Sequence, residues 1–289
     1  MLKKRIIGCL IIKDGRVVQS IGFNKYLPIG RVDVAVEFLN KWGIDEIVLL
    51  DIDATRDGKE PDFKLVTEVS KKSFAPLTVG GGIKNIKDIK KLVYCGADKI
   101  SINAIALKNP KIITEAAEIF GVQCIVVSMD VKKHKNHYEV YSDNGKKATG
   151  LDPITWAKKV EAMGAGEIFL NSIDRDGSKS GYEIKLIKAV SSAVSIPLIA
   201  CGGAGHPKHF LEVFKKTGAL AAAAGNFFQF TEHSPITVKS YLLKNKVDVR
   251  LDSHADYKDI NFVNNGRIGK RADEYLRKLR FEYISDEII

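Results

Sequence analysis

A chain of 289 residues with 45% apolar and 28% charged side chains can bury a sizeable core, which excludes a disordered polypeptide. No uncharged apolar run reaches the ~20 residues that a membrane span needs, and the start, Met1-Leu2-Lys3-Lys4-Arg5-Ile6-Ile7, reads as a strand and not a signal peptide, so a cytosolic protein is expected. The formal charge is +10, yet the lysines are spread over separate helix faces (Lys71-Lys72, Lys84 to Lys91, Lys215-Lys216) without interleaved aromatics, a distribution that argues against nucleic acid and for a small anionic ligand.

Short apolar, β-branched runs at 5–12, 46–51, 76–79, 99–102, 124–129, 167–172, 197–200 and 221–224 alternate with amphipathic stretches near 31–42, 61–73, 86–95, 110–119, 154–164, 183–192, 206–217 and 233–244. Asp152-Pro153 and Ser234-Pro235 read as helix starts. Eight strands, each followed by a helix, close into a (β/α)8 TIM barrel. The barrel is built from two half-barrel repeats. Glu46-Ile47-Val48-Leu49-Leu50 returns as Glu167-Ile168-Phe169-Leu170-Asn171, and Pro76-Leu77-Thr78-Val79-Gly80-Gly81-Gly82 as Pro197-Leu198-Ile199-Ala200-Cys201-Gly202-Gly203, both at an offset of 121 residues.

Two additions go beyond the bare barrel. Residues 132–149, with His137-Tyr138-Glu139-Val140-Tyr141 and the turn Asp143-Asn144-Gly145, read as a hairpin inserted after the fifth strand. The barrel is expected to fill residues 1–252, and residues 253–289 form a polar extension in which 271–281 looks helical. Tyr275, Leu276 and Leu279 would share one face of that helix, which is expected to dock on the barrel's outer helices or on a partner. Cys9, Cys95, Cys124 and Cys201 lie far apart without a C-x-x-C pair, so buried free thiols are expected. His134, His137, His206 and His209 are expected on the surface, with no metal-ligand grouping.

Barrel sites lie at the C-terminal ends of the strands. There, Gly80-Gly81-Gly82 and Gly202-Gly203 let backbone N–H groups approach an anion, and the following strands end in Asn103-Ala104 and Ala224-Gly225-Asn226. Their duplication points to a ligand phosphorylated at both ends. Asp130 ends the fifth strand, Asp51 and Asp53 the second, and Asp174 and Asp176 follow the sixth. All are candidates for proton transfer, although Asp174 and Asp176 would serve equally well as turn-formers.

Arg5-Ile6-Ile7-Gly8-Cys9-Leu10, Asp14-Gly15-Arg16-Val17-Val18, Gly96-Ala97-Asp98-Lys99-Ile100-Ser101-Ile102-Asn103, Ser172-Ile173-Asp174-Arg175-Asp176-Gly177 and Gly202-Gly203-Ala204-Gly205 resemble the HisF family, the cyclase subunit of imidazole glycerol phosphate synthase. The resemblance spans about residues 1–252. It implies a barrel without metal or cofactor that binds a bisphosphorylated nucleotide and takes ammonia from a glutaminase (HisH-like) partner at its bottom. Of the family's two catalytic acids, Asp130 is present and Ile11 replaces the other. The family's charged ring at the ammonia entrance corresponds to Arg5, Glu46, Lys99 and Glu167. As rim charges these would add little stability. Asp98 would face the glutaminase. The phosphate positions correspond to Gly81, Gly82, Asn103, Asp176, Gly177, Gly202, Gly203, Ala224 and Gly225, with Ala104 in place of a hydroxyl residue and Gln19 in place of the usual Lys.

Cys9-Leu10-Ile11-Ile12-Lys13-Asp14, with Asp51-Ile52-Asp53-Ala54, is more similar to second-copy HisF homologues associated with amidination of surface-polysaccharide sugars. An alkyl side chain moves no proton, so the cyclisation is expected to be crippled while ammonia handling persists, with a sugar amidotransferase as a further partner. Two other readings stand beside it. One is an authentic cyclase in which Asp51, Asp53 or Asp174 replaces the missing acid; the other is a non-catalytic scaffold that binds a phosphorylated ligand.

Overall fold

The computed structural model describes residues 3–229, 234–251, 261–263, 266–269 and 274. Along the chain, β1 (Arg5–Lys13) leads into a hairpin of β2 (Arg16–Ile21) and β3 (Lys25–Gly30), followed by α1 (Val32–Lys41). The next units are β4 (Glu46–Asp51) with α2 (Phe63–Ser70), β5 (Leu77–Gly80) with α3 (Ile86–Tyr94), and β6 (Lys99–Ile102) with α4 (Ala104–Lys108) and α5 (Lys111–Phe120). The second half runs β7 (Ile125–His134), β8 (His137–Ser142), β9 (Lys147–Ala148), α6 (Pro153–Ala162), β10 (Glu167–Ser172), α7 (Ile184–Ser191), β11 (Leu198–Cys201), α8 (Pro207–Lys216), β12 (Ala221–Ala224) and α9 (Pro235–Lys244).

Eight parallel strands run in the order β10, β11, β12, β1, β4, β5, β6, β7, and β7 pairs back onto β10, so the sheet closes as a (β/α)8 barrel. Closure leaves no sheet edge in the barrel wall. The wall separates two apolar clusters. Ile6, Leu10 and Ile12 of β1 point outward into the large core beneath the helices, whereas Ile7 and Cys9 point inward with Val48, Val126, Phe169, Ile199, Ala221 and Ala223. Phe169 is fully buried, and alanines at the inward positions of β12 leave room for so large a side chain.

Local chemistry places the helices. Asn85 caps α3 and Asp152 caps α6, accepting from Thr155 N at 2.8 Å with Pro153 in the first turn. The inserted unit after the fifth strand is a meander of β7, β8 and β9. The residues Asp143-Asn144-Gly145, all with positive φ, turn β8 into β9 and close the expected hairpin, and a second reversal between His134 and His137 joins β7 to β8. The hairpin β2–β3 was not expected. The Asp14-Gly15 turn that joins β1 to β2 has positive φ at both residues, the geometry that the dipeptide favours, and Gly22-Phe23, also with positive φ, turns β2 into β3; Val17-Val18 alone is too short to signal a strand pair.

Cys9, Cys124 and Cys201 are buried free thiols, and Cys95 is half-buried. His209 is buried, against the expectation of a surface position, because its Nδ1 accepts from Gly205 N at 3.1 Å. Of the extension, residues 261–263 and 266–269 pair antiparallel, bridged at Phe262 and Ile268; Phe262 packs edge-on against Tyr241 of α9. The expected helix at 271–281, with Tyr275, Leu276 and Leu279, lies outside the described residues.

At the barrel's lower end Lys239 of α9, 3% exposed, donates to Asp45 Oδ1 at 2.6 Å and to Gly43 O at 2.5 Å, while Asp45 Oδ2 accepts from Ile6 N at 2.7 Å. Removing one partner of a buried pair costs ~3–5 kcal/mol because the other charge stays buried. Asp45→Ala is therefore expected to lower the melting temperature by roughly 10 °C, and calorimetry showing less than a ~2 °C change would refute a structural role for the pair.

Candidate active site at the barrel mouth

A cavity of about 440 Å³ opens at the C-terminal ends of the strands. Its one deeply placed carboxylate is Asp130, which β7 projects inward beside Asn103 and Asn171. Asn103 Nδ2 donates to Asp130 Oδ2 at 2.8 Å, and Asn171 sits directly across the β7–β10 pairing. Burial pushes the Asp130 carboxyl up to about 7, with the Asp176 charge adding to the rise and hydrogen bonds from Asn103 and Asn171 opposing it. A carboxyl poised near neutrality can give and take a proton at working pH. Ile11 lines the same cavity and offers an alkyl surface.

The first glycine turn lies on the cavity wall. Gly81 has φ +108°, and a Cβ there would fall 2.2 Å from the Asp51 carbonyl oxygen, so no other residue fits; Gly82 N donates to Thr55 Oγ1 at 3.0 Å. Asn103 completes this end, and Arg56 and Lys146 add positive charge to the wall. Of the alternative acids, Asp51 lines the cavity, its carboxyl raised by burial, and its Oδ1 accepts from Asp53 N and Ala54 N. Asp53 is tied to Arg56 and to Asp14 N, and Asp174 accepts from Lys133 N; neither lines the cavity.

The remaining expected ligand positions, Asp176, Gly177, Gly202, Gly203, Ala224 and Gly225, do not line this cavity. Several of them meet the β2–β3 hairpin instead. Asp176 Oδ2 accepts from Ser20 Oγ at 2.6 Å and Phe23 N at 3.1 Å, and Asn226 grips the Ser20 backbone through both ends of its amide. Burial raises the Asp176 carboxyl. Gly203 repeats the logic of Gly81: its φ is +103°, and a Cβ would fall 2.2 Å from the Gly181 carbonyl oxygen. Ser20 and Asn171 escaped the sequence reading as site residues, and Asn226 was read only as the end of the eighth strand. Asn171 carried a signal as the polar counterpart of Leu50 in the half-barrel repeat.

At the opposite end Arg5, Glu46, Lys99 and Glu167 form one closed ring. Arg5 pairs with Glu46 and with Glu167 (2.6 Å), and Lys99 pairs with Glu46 (3.1 Å) and Glu167 (2.9 Å). These are not solvent-screened rim charges. The Glu46 and Glu167 side chains are 7% and 9% exposed, so loss of either cation would leave two enclosed carboxylates sharing the other. Asp98 is exposed at this end and accepts from Leu77 N at 2.7 Å through Oδ2.

A half-barrel repeat with an acid-bearing cavity above and a closed ion ring below defines a (β/α)8 protein of one type, and the family model described as histidine biosynthesis protein matches residues 5–234. The chain belongs to this family, on its HisF branch. It is 50% identical over 253 residues to the imidazole glycerol phosphate synthase subunit HisF of Clostridium botulinum (strain Okra / Type B1), covering 87% of this chain and all of that protein. It is 47% identical over 252 residues to the HisF of Bacillus cereus (strain ATCC 10987 / NRS 248), again 87% of this chain and all of that one. A protein of Vibrio vulnificus (strain YJ016) bearing the subunit name hisF2 is 45% identical over 267 residues, 92% of this chain and 98% of its own length.

The raised Asp130 carboxyl has a consequence for stability. An unfolded Asp loses its proton near pH ~4, whereas the folded group keeps it to about 7. Between those values the folded state binds more protons, so stability falls as pH rises through the window, and the full cost is present above it. Asp130→Asn is expected to match the parent's melting temperature near pH ~4 and to exceed it by roughly 5–10 °C near pH ~8. A difference that stays constant with pH would show that Asp130 titrates normally.

Proposed function

We propose that this chain is the barrel subunit of a glutamine amidotransferase complex. It accepts ammonia from a HisH-like glutaminase at the Arg5, Glu46, Lys99 and Glu167 ring and conducts it to the mouth cavity for amination or amidination, with the imidazole-forming cyclisation weakened or lost. The observation that carries this reading is the pairing of a complete ring below with a single deeply placed acid, Asp130 facing Ile11, above. The ring's charges are neutralised among themselves, so a neutral molecule meets no net field there, and the apolar interior around Ile7, Val48 and Phe169 penalises ammonium far more than ammonia.

The lower face suits a protein partner. Phe74, between α2 and β5, and Tyr94, the last residue of α3 before β6, are 93% and 80% exposed, and Ile119 at the end of α5 and Val122 follow before β7. Aromatic side chains left exposed in one neighbourhood mark interaction sites. Asp98 is on the same face. At the mouth, Gly81, Gly82 and Asn103 would receive one phosphate of the ligand and Gly177, Gly202, Gly203, Ala224 and Gly225 a second, once the β2–β3 hairpin lifts. The final acceptor is a surface-polysaccharide sugar held by an amidotransferase. Ile11, Gln19 and Ala104 support that assignment, as does an alignment with the hisF2 protein that is longer than the barrel itself.

With ammonium salt and the family's bisphosphate substrate, the purified protein is expected to show little cyclisation, and Ile11→Asp to restore a measurable fraction. Turnover of the parent at about 1 s⁻¹ or faster would overturn the loss of cyclase activity. Asp51 favours the competing cyclase reading because it lines the cavity, and its role is exposed if Asp51→Asn abolishes such turnover.

Lys99→Ala tests the ring. The variant is expected to lose several degrees of melting temperature and most glutamine-driven transfer while retaining transfer driven by ammonium salt. Equal loss of both activities would assign the ring to stability alone.

A further inference from the structure

The second glycine turn is held from two directions. On its inner side the loop after β10 is tied to it: Gly181 N donates to Gly203 O at 2.8 Å, and Gly205 sits so close to Lys179 that a Cβ would fall 2.3 Å from the Lys179 carbonyl oxygen. On its outer side the chain enters α8 through two histidines. His206 is the N-cap, its Nδ1 accepting from Lys208 N at 3.0 Å, and His209 Nδ1 accepts from Gly205 N. Both rings pack on each other, and His206 also meets Tyr241 edge-on.

Against this outer side lies a hairpin pair formed by residues 261–263 and 266–269, which comes from beyond the barrel. Val263 N donates to Arg267 O at 3.0 Å and Gly269 N to Asn261 O at 2.6 Å, closing the hairpin on itself. Its tip residue Gly266, φ +75°, is pressed against His206: a Cβ there would fall 2.5 Å from His206 Nε2 and 2.8 Å from Pro207 Cδ. Phe262 against Tyr241, and Asn261 Oδ1 accepting from Lys244 Nζ at 3.3 Å, fasten the other end to α9. The hairpin thus reaches α9 and the first residues of α8 together. Only a glycine can bring its backbone so near the imidazole in this conformation.

We propose that the pair formed by residues 261–263 and 266–269 is a strap that positions the second glycine turn for phosphate, acting through His206 and the first turn of α8. Backbone N–H groups bind an anion only when they converge, and convergence at Gly202 and Gly203 depends on where the chain leaves the turn at His206. The inner loop fixes one side of that exit and the strap the other. Among the described residues, the first turn, Gly81-Gly82, has no such device. Its downstream helix α3 starts from Asn85, whose side chain accepts from Asp88 N, and Asp88 in turn accepts from Lys84 N at 2.8 Å, so that exit is fixed by local bonds. The HisF relatives are covered in full by alignments of 252–253 residues, whereas the alignment with the hisF2 protein runs for 267 residues, more than the barrel holds, and therefore into the extension. Gly266 and Phe262 are positioning residues in this scheme; neither touches the ligand.

The proposal rests on the reading of both glycine turns as phosphate sites, and the test separates the two. Inorganic phosphate is titrated into the full-length protein and into Gly266→Val and Phe262→Ala by calorimetry. The parent is expected to bind two phosphates. Each variant is expected to keep one with unchanged affinity and to bind the other at least about fivefold more weakly. Two sites of parental affinity in both variants would overturn the strap. An equal weakening of both sites would overturn it too, since it would mark a general loss of structure. If the parent itself binds fewer than two phosphates, the two-turn reading fails and the strap falls with it.

Discussion

Every second residue of a strand in a closed parallel barrel points at the axis, and the axis is too narrow for the side chains of neighbouring strands to avoid one another. The functional layout follows from that constraint. Along β10 the inward positions are Glu167, Phe169 and Asn171, a charge, an aromatic plug and an amide, and along β1 they are Arg5, Ile7, Cys9 and Ile11. Repeated around the wall, the sequence of levels is an ion ring, an apolar interior and a polar cavity floor. No helix or loop has to be invoked to stack them. The half-barrel repeat makes the levels coincide, because residues 121 apart occupy the same height in the two halves.

Much of this was legible from residues alone. Parallel strands covered on both faces read as continuous apolar runs, and the glycine turns stand out because only glycine tolerates the close approach of Asp51 or Gly181. What was not legible belonged to pieces that add to the barrel. The β2–β3 hairpin is short, and its grip on Asp176 and Asn226 spans 156 and 206 residues of sequence, a distance over which no local pattern carries information. The Asp143-Asn144-Gly145 turn is legible because its residues tolerate positive φ, and it reverses the chain between β8 and β9 as expected; the further reversal between His134 and His137 carries no such signal.

Charge in this molecule is organised by enclosure. A net charge of +10 suggests a basic surface protein, yet the groups that matter sit in places where water is scarce: two carboxylates shared between Arg5 and Lys99, one carboxyl held near neutrality at Asp130, one ammonium paired with Asp45. Each is balanced by a partner from a different strand or helix. The lysines on the outer helix faces account for the excess, and none of them lies in the ring or the cavity floor.

The Lys239 to Asp45 pair joins groups 194 residues apart, and β1 finds its second neighbour only in β12. A chain emerging from the ribosome therefore presents β1 with β4 long before it can offer β12 or α9, and for most of synthesis the barrel is an open sheet with two bare edges, of which β1 is one throughout. The alanines of β12 and the buried ammonium of α9 arrive together at the end. Closure is thus a late, high-contact-order event whose loop entropy is met in one step, and the open half-made sheet is the state most exposed to chaperones and to misassembly.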